Sequence, residues 1–335
     1  MQDSTSRDLH RRALLGTAAG LATLAAPAQL AAQDRRVTLV VPFAPGGVND
    51  AIGRIVANAL GPRLGQVVVV ENRAGANGVV GLREVSRSRP DSTMLAICND
   101  GALSIPAALD PAFPIELGRD LSGVARVGTF EYFLLVHRGI PATTVQEFIA
   151  FARARPDEVA SGTPGIGSSQ HLATEMLAAA ADIRLNHVPY RGAGPALNDL
   201  LAGTIGMSWQ SAINVRGLVA DAGRQSQVRV LGVAAEQRTG YLPDVPTMIE
   251  SGLPGFVATS WIGVFGPPGL PDAVRVALST AIAEAVQDPA TRARLDGAGF
   301  DVAPMPPAGF EAFIRRDIAR LREFGQRRGI TLSAN

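Results

Sequence analysis

The chain alternates two kinds of segment, and that alternation restricts the fold more than any other feature. Val37-Thr-Leu-Val-Val-Pro42 is short, apolar and β-branched; the turn-rich Phe43-Ala-Pro-Gly-Gly47 follows; then Ile52, Ile55, Val56, Ala59 and Leu60 recur three and four residues apart. This order predicts a buried strand, a loop, and a helix that lays its apolar face on a sheet. The unit repeats as a strand at Val67 to Val70, a loop at Asn72 to Asn77, a helix at Gly78 to Ser86 and a strand at Met94 to Cys98, ending at Asn99-Asp100-Gly101. Strands alternating with helices predict an α/β protein with mainly parallel sheets flanked by helices.

A second series follows Leu121 to Val127, with a strand at Phe133 to Val136 and a Thr-x-x-Glu capping box at Thr144 and Glu147 that opens a helix ending before Pro156. A glycine-rich stretch from Ser161 to Gln170 leads into a helix through Leu172, Met176 and Leu177. Next come a strand at Ile183 to Val188, a loop at Tyr190 to Gly194, a helix at Pro195 to Ala202 and a strand at Ile205 to Trp209. Val228 to Ala234 is a strand able to return to the first series, and the last third reads as mostly helical. The chain is expected to cross near 125 to 130 and near 230 to 235, which makes residues 33–128 and 233–335 one lobe and 129–232 another, with a ligand cleft between them.

Composition narrows the chemistry. All 31 basic residues are arginine, so no Schiff-base lysine, pyridoxal-phosphate anchor or ordinary P-loop is available. A net charge of +1 gives no general attraction to nucleic acid, and a lone Cys98 can make neither an internal disulfide nor a multi-cysteine zinc site. Residues 1–32 differ from the rest: Arg7, Arg11 and Arg12 precede an uncharged Ala-, Gly- and Thr-rich run ending in Ala26-Pro27-Ala28 and Leu30-Ala31-Ala32. That pattern is expected of an export signal, with Arg11-Arg12 suggesting the twin-arginine route, and places a soluble mature protein in the periplasm.

Three loops each precede a helix and could carry binding. In Phe43-Ala-Pro-Gly-Gly-Val-Asn-Asp50 two glycines let the backbone approach a ligand from a helix N-terminus, which favours an anion. An ordinary tight turn with Asn49 or Asp50 as N-cap explains the same residues. Gly162-Thr-Pro-Gly-Ile-Gly-Ser-Ser-Gln-His171 adds hydroxyls, and Val188-Pro-Tyr-Arg-Gly-Ala-Gly-Pro-Ala196 adds an aromatic ring and the Arg191 guanidinium, with Pro195 near the first helical position. Trp209-Gln210 at a strand end could line the cleft or pack in a core. Hydrolysis through His171 finds no Gly-x-Ser-x-Gly elbow and no acid partner. His137, His171 and His187 are not at metal-ligand spacing, so no metal or cofactor is expected.

Together these segments resemble a known family. Val37 to Gly47 with Asp50 and Arg54, Val68-Val-Val-Glu-Asn-Arg-Ala-Gly-Ala-Asn-Gly78, Gly167-Ser-Ser-Gln-His-Leu172, His187-Val-Pro-Tyr-Arg-Gly192 with Pro195-Ala196, Leu242-Pro-Asp-Val-Pro-Thr247, Glu250-Ser-Gly-Leu-Pro-Gly255 and Asp288-Pro-Ala-Thr-Arg292 stand in the order of the Bug family, the extracytoplasmic solute receptors of tripartite tricarboxylate transporters. The resemblance implies a type II periplasmic binding protein fold, no catalysis, a monomer, and a small carboxylate ligand (a di- or tricarboxylate, an amino acid or an aromatic acid) held mainly by backbone amides and presented to membrane permease subunits. It implies ligand contacts at Phe43, Ala44, Gly46, Gly47 and Asp50, at Thr163, Gly167, Ser168 and His171, and at Tyr190, Arg191 and Pro195. Where many relatives have small residues and a hydroxyl, this chain has Asn99-Asp100 and, after a later strand, Trp209-Gln210. If they face the cleft, Asp100 would repel a second carboxylate or receive an amino group, and Trp209 could stack on a ring. An orphan sensor for a signalling partner and a hydrolase using His171 are the alternatives.

Overall fold

A computed structural model of the chain describes residues 36–220, 227–328 and 330; the expected export signal at 1–32 lies outside them. The first elements are β1 (Arg36–Val41), α1 (Val48–Leu64), β2 (Val67–Asn72), α2 (Val79–Ser86), β3 (Met94–Asn99), α3 (Ser104–Leu109) and β4 (Ser122–His137). Then come α4 (Val145–Arg153), β5 (Ala160–Thr163), α5 (Ser169–Ala181), β6 (Asn186–Pro189), α6 (Ala193–Leu201), β7 (Met207–Ser211), α7 (Ala212–Ala220) and β8 (Val228–Val233). The chain finishes with β9 (Thr259–Gly266), α8 (Asp272–Gln287), α9 (Pro289–Gly297), β10 (Asp301–Met305) and α10 (Pro307–Arg328).

The strands follow one path, β2-β1-β3-β9-β4-β7-β5-β6, with β8 and β10 added to β4. The 16-residue β4 serves both lobes. Its residues Ser122 to Glu131 pair with β9, and from Tyr132 onward it pairs with β7 and, beginning at Phe133, with β8. The α/β two-lobed class expected from sequence holds. Parallel pairing joins β1 to β3 and β5 to β6 and β7, whereas β9 and β4 run antiparallel to their neighbours, so the sheets are mixed.

Local chemistry explains the main elements. Ile52, Ile55, Val56 and Leu60 form the buried face of α1, and Gly65 ends it in the left-handed region at φ 61°. In α4, Thr144 Oγ1 accepts the Glu147 N–H at 3.1 Å, while the Glu147 carboxylate reaches back to Thr143 rather than to Thr144. Gly128 on β4 is required by close approach: a Cβ there would run into the Asp301 carbonyl of β10. Cys98 is fully buried on β3, between β1 and β9, where burial pushes its thiol pKa well up.

Candidate functional site

The first loop leaves β1 and enters α1 through Gly46, at φ +90°, and Gly47, which caps the helix in an extended conformation and supplies no side chain. Neither Asn49 nor Asp50 is the N-cap; both lie inside the first turn. Asp50 instead ties the loop together. Its carboxylate accepts the Gly46 N–H at 3.2 Å, Arg54 Nε at 3.1 Å and Asn72 Nδ2 at 3.1 Å. Burial alone would raise its pKa, but those donors outweigh it and hold the carboxyl below the usual range.

In the second loop Ser168 caps α5, its Oγ accepting the His171 N–H at 3.2 Å. Gly167, at φ +84°, gives its own N–H to His171 Nδ1 at 3.1 Å. A ring that accepts on Nδ1 carries its proton on Nε2 when neutral. Burial, then the neighbouring His187, keeps His171 neutral by pushing its pKa down to about 4. The imidazole therefore braces the loop. Its Nδ1 is used by Gly167, Ser168 Oγ is used by backbone, and Ser169 Oγ gives its hydrogen to Asp100 at 2.7 Å, which leaves no serine–imidazole pair. The fold does bring His171, Glu175 and His187 together, with candidate ligand atoms within 4.8 Å of one another. Glu175 accepts from His187 Nε2 at 2.8 Å, while His171 Nε2 stands 3.9 Å from Glu175 and its Nδ1 is engaged by Gly167, so within the trio only Glu175 and His187 are hydrogen-bonded.

In the third loop Gly192 caps α6 without a side chain, and Pro195 occupies the third helical position rather than the first. It needs no N–H there. Tyr190 turns under the helix, donating to Asp199 at 2.6 Å, and Arg191 is exposed.

The three loops meet across the cleft. Ala44 N–H donates to the Arg191 carbonyl at 3.0 Å, and Asn99 Nδ2 donates to Ser169 Oγ at 3.1 Å. The Gly47 and Gly194 backbones lie so close to the opposite lobe that a Cβ on Gly47 would meet Ala193 Cβ at 3.6 Å, and one on Gly194 would meet the Pro45 carbonyl at 2.7 Å. Between them is a cavity of about 20 Å³, room for one water. Phe43, Ala44, Gly47, Val48, Asn49, Asp50 and Asn99 line it from one lobe, and Pro164, Ser168, Gln170 and Ala193 from the other. The N-terminal ends of α1, α5 and α6 thus converge on one small space. Helix N-termini present free N–H groups and partial positive charge, and no arginine side chain lines the space. A larger cavity of about 630 Å³ lies beside Glu131, Tyr241 and Asp301, where carboxylates make a poor anion site.

Of the residues named from sequence, Phe43, Ala44, Gly47, Asp50, Asn99 and Ser168 line the interlobe cavity. Gly46, Thr163, Gly167, His171, Tyr190, Arg191 and Pro195 frame its loops without lining it. Two expectations are corrected. Asp100 lies beneath the cleft, its Oδ1 accepting Gly101 N–H at 2.9 Å, Ser169 Oγ at 2.7 Å and Ser260 Oγ, and it lines a separate cavity with Arg126 and Asp317. Burial first, then Asp317, raises its pKa to about 7. Trp209 is a core residue, fully buried and stacked on Phe256 at 5.7 Å, because its position on β7 directs it inward. Asn49 and Gln170 were missed, since one reads as an ordinary capping residue and the other as the first polar turn of a helix.

Two α/β lobes sharing a strand, with helix N-termini facing each other across the cleft, define a periplasmic solute-binding receptor. The chain belongs to the tripartite tricarboxylate transporter receptor family, whose profile matches residues 52–330. Protein BugT of Bordetella pertussis is 33% identical over 310 residues, 92% of this chain and 94% of that protein. MatC of Rhodopseudomonas palustris, solved with bound malate, is 28% identical and superposes with a TM-score of 0.80 over 86% of this chain and 98% of MatC. Another R. palustris protein, solved with adipate, is 28% identical with a TM-score of 0.83 over 89% of this chain and 98% of its own. Such proteins are solute-binding receptors and not enzymes. Among the described residues no helix is long and apolar enough to cross a membrane.

Proposed function

We propose that this chain captures a small carboxylate between its lobes in the periplasm and hands it to the membrane permease subunits of a tripartite tricarboxylate transporter. The observation that carries this is the convergence of α1, α5 and α6 on a cavity lined by no arginine. A carboxylate there is held by backbone amides of Gly47, Val48 and Ala193, with loops braced from behind by Asp50 and His171. Lobes of 33–128 with 233–335, and of 129–232, hinge within β4 and just after β8. The cavity is far smaller than a dicarboxylate, so ligand entry parts the lobes and the bound ligand keeps them further apart than the contacts described above.

The malate and adipate bound by the two R. palustris proteins support a dicarboxylate ligand here. The test is thermal unfolding of the mature chain against dicarboxylates, tricarboxylates, amino acids and aromatic acids. Ligand at 100 times its Kd stabilises by about 2.7 kcal/mol. One class should raise the melting temperature, and no shift with any carboxylate would refute the proposal.

A further inference from the structure

We infer that the ligand carries a hydrogen-bond donor, a hydroxyl or an ammonium, beside its carboxylate, and that Asn49 Oδ1 receives it. This rests on the carboxylate-receptor proposal and adds the second functional group. Asn49 lines the cavity, is 7% exposed, and its Oδ1 is buried without a partner. A buried amide oxygen left unpaired is costly, and the cavity its residue lines is the one proposed for the ligand.

The direction of the amide follows from a relay that starts below the cleft. A backbone N–H can only donate, so Gly101 N–H fixes Asp100 Oδ1 as an acceptor. Ser169 and Ser260 each have one hydroxyl hydrogen, and both give it to that oxygen. Towards Asn99 the two serines therefore present lone pairs, and Asn99 must turn its Nδ2 to them, at 3.1 and 3.4 Å. Asn99 Oδ1 then faces Asn49 and accepts its Nδ2 at 3.4 Å. Asn49 Nδ2 keeps one further hydrogen, and Oδ1, its only side-chain acceptor, is left unpaired. Each member of the relay has its polarity set by the one before, so the cavity presents an acceptor that a 2-oxo group or a methylene cannot satisfy.

The experiment is isothermal titration of the purified mature chain with dicarboxylates of four to six carbons, each in its 2-hydroxy, 2-amino, 2-oxo and unsubstituted form where stable. On the chain length that binds best, the hydroxy or the amino acid should bind at least tenfold more tightly than the unsubstituted and oxo acids. The better of the two identifies the donor. In Asn49→Leu, which removes the acceptor at similar volume, the ratio should fall to about one. If the unsubstituted or oxo acid binds wild type as tightly as the donor-bearing acid, the inference is overturned while the carboxylate proposal stands. If the ratio persists in Asn49→Leu, Asn49 is not the acceptor. If none of these dicarboxylates binds, the inference falls, while the carboxylate proposal is decided by the wider thermal-unfolding panel. The wild-type comparison decides even should the variant fail to fold.

Discussion

The Ala44 N–H and the Arg191 carbonyl are hydrogen-bonded at 3.0 Å, so the third loop grips the first through its backbone while the Arg191 guanidinium stays in solvent. Contact between the lobes at this point is made by main chain against main chain, and that decides which substitutions matter.

Gly194 is the position where closure is most easily blocked. Its Cβ would come within 2.7 Å of the Pro45 carbonyl, yet it lies in the first turn of α6, where alanine is favoured over glycine by about 1 kcal/mol. Gly194→Ala should therefore leave the melting temperature unchanged or raised and, because the bound ligand holds the loops further apart, leave ligand binding as tight as in wild type or tighten it by opposing only the ligand-free closure. Gly47→Ala, whose methyl would make an ordinary 3.6 Å contact with Ala193, should shift the affinity less. Titration calorimetry of both variants checks the order.

Arg191→Ala keeps the carbonyl that accepts from Ala44 and removes an exposed side chain. Affinity should stay within about threefold of wild type, in keeping with the small worth of a solvated surface charge. A hundredfold loss would mean that the guanidinium folds into the cleft onto the ligand.

Asp100 and His171 should pull stability in opposite directions over nearly the same pH range. The folded Asp100 carboxyl, raised from 3.8 to about 7, binds a proton that the unfolded chain has lost, so its contribution falls as pH rises through that window. His171, lowered from 6.5 to about 4, binds fewer protons folded than unfolded, so its contribution is present above 6.5 and lost as pH falls towards 4. Each slope approaches ~1.4 kcal/mol per pH unit at most. Relative to wild type between pH 4.5 and 6.5, Asp100→Asn should gain stability as pH rises and His171→Gln should lose it. Denaturant titrations at several pH values read all three.

Cys98 should resist thiol reagents in the folded protein, because it is fully buried and its thiolate is disfavoured. Labelling should appear only with denaturant, at the rate of unfolding.

Sequence pattern exposed the elements whose apolar spacing differs from their surroundings. The face of α1, the capping box at Thr144 and the glycine loops before α1, α5 and α6 all fall in that group. It failed at β9 and β4 for physical reasons. Thr259–Gly266 is buried on both faces for seven of its eight residues, so no alternation marks it as a strand. In β4 only Phe133 to Val136 was expected as a strand, because Gly128-Thr129 and Glu131 interrupt the apolar run before it, although Gly128 is there because β10 passes against it. The site was legible as three loops, but Asn49 gains its role only from Asn99, fifty residues away, and no local pattern encodes that pairing. Trp209 and Asp100 were legible as unusual residues while their facing was not, because a strand end in sequence does not say which side of the sheet is inward.

Because β4 is an internal strand for both lobes, one strand belongs to two cores. A cut between Glu131 and Tyr132 would put β9 and β10 on one piece and Ser122 to Glu131, the stretch that joins them, on the other. The lobes are therefore not separable modules, and the protein should unfold in a single cooperative transition where two independently folding domains would give two.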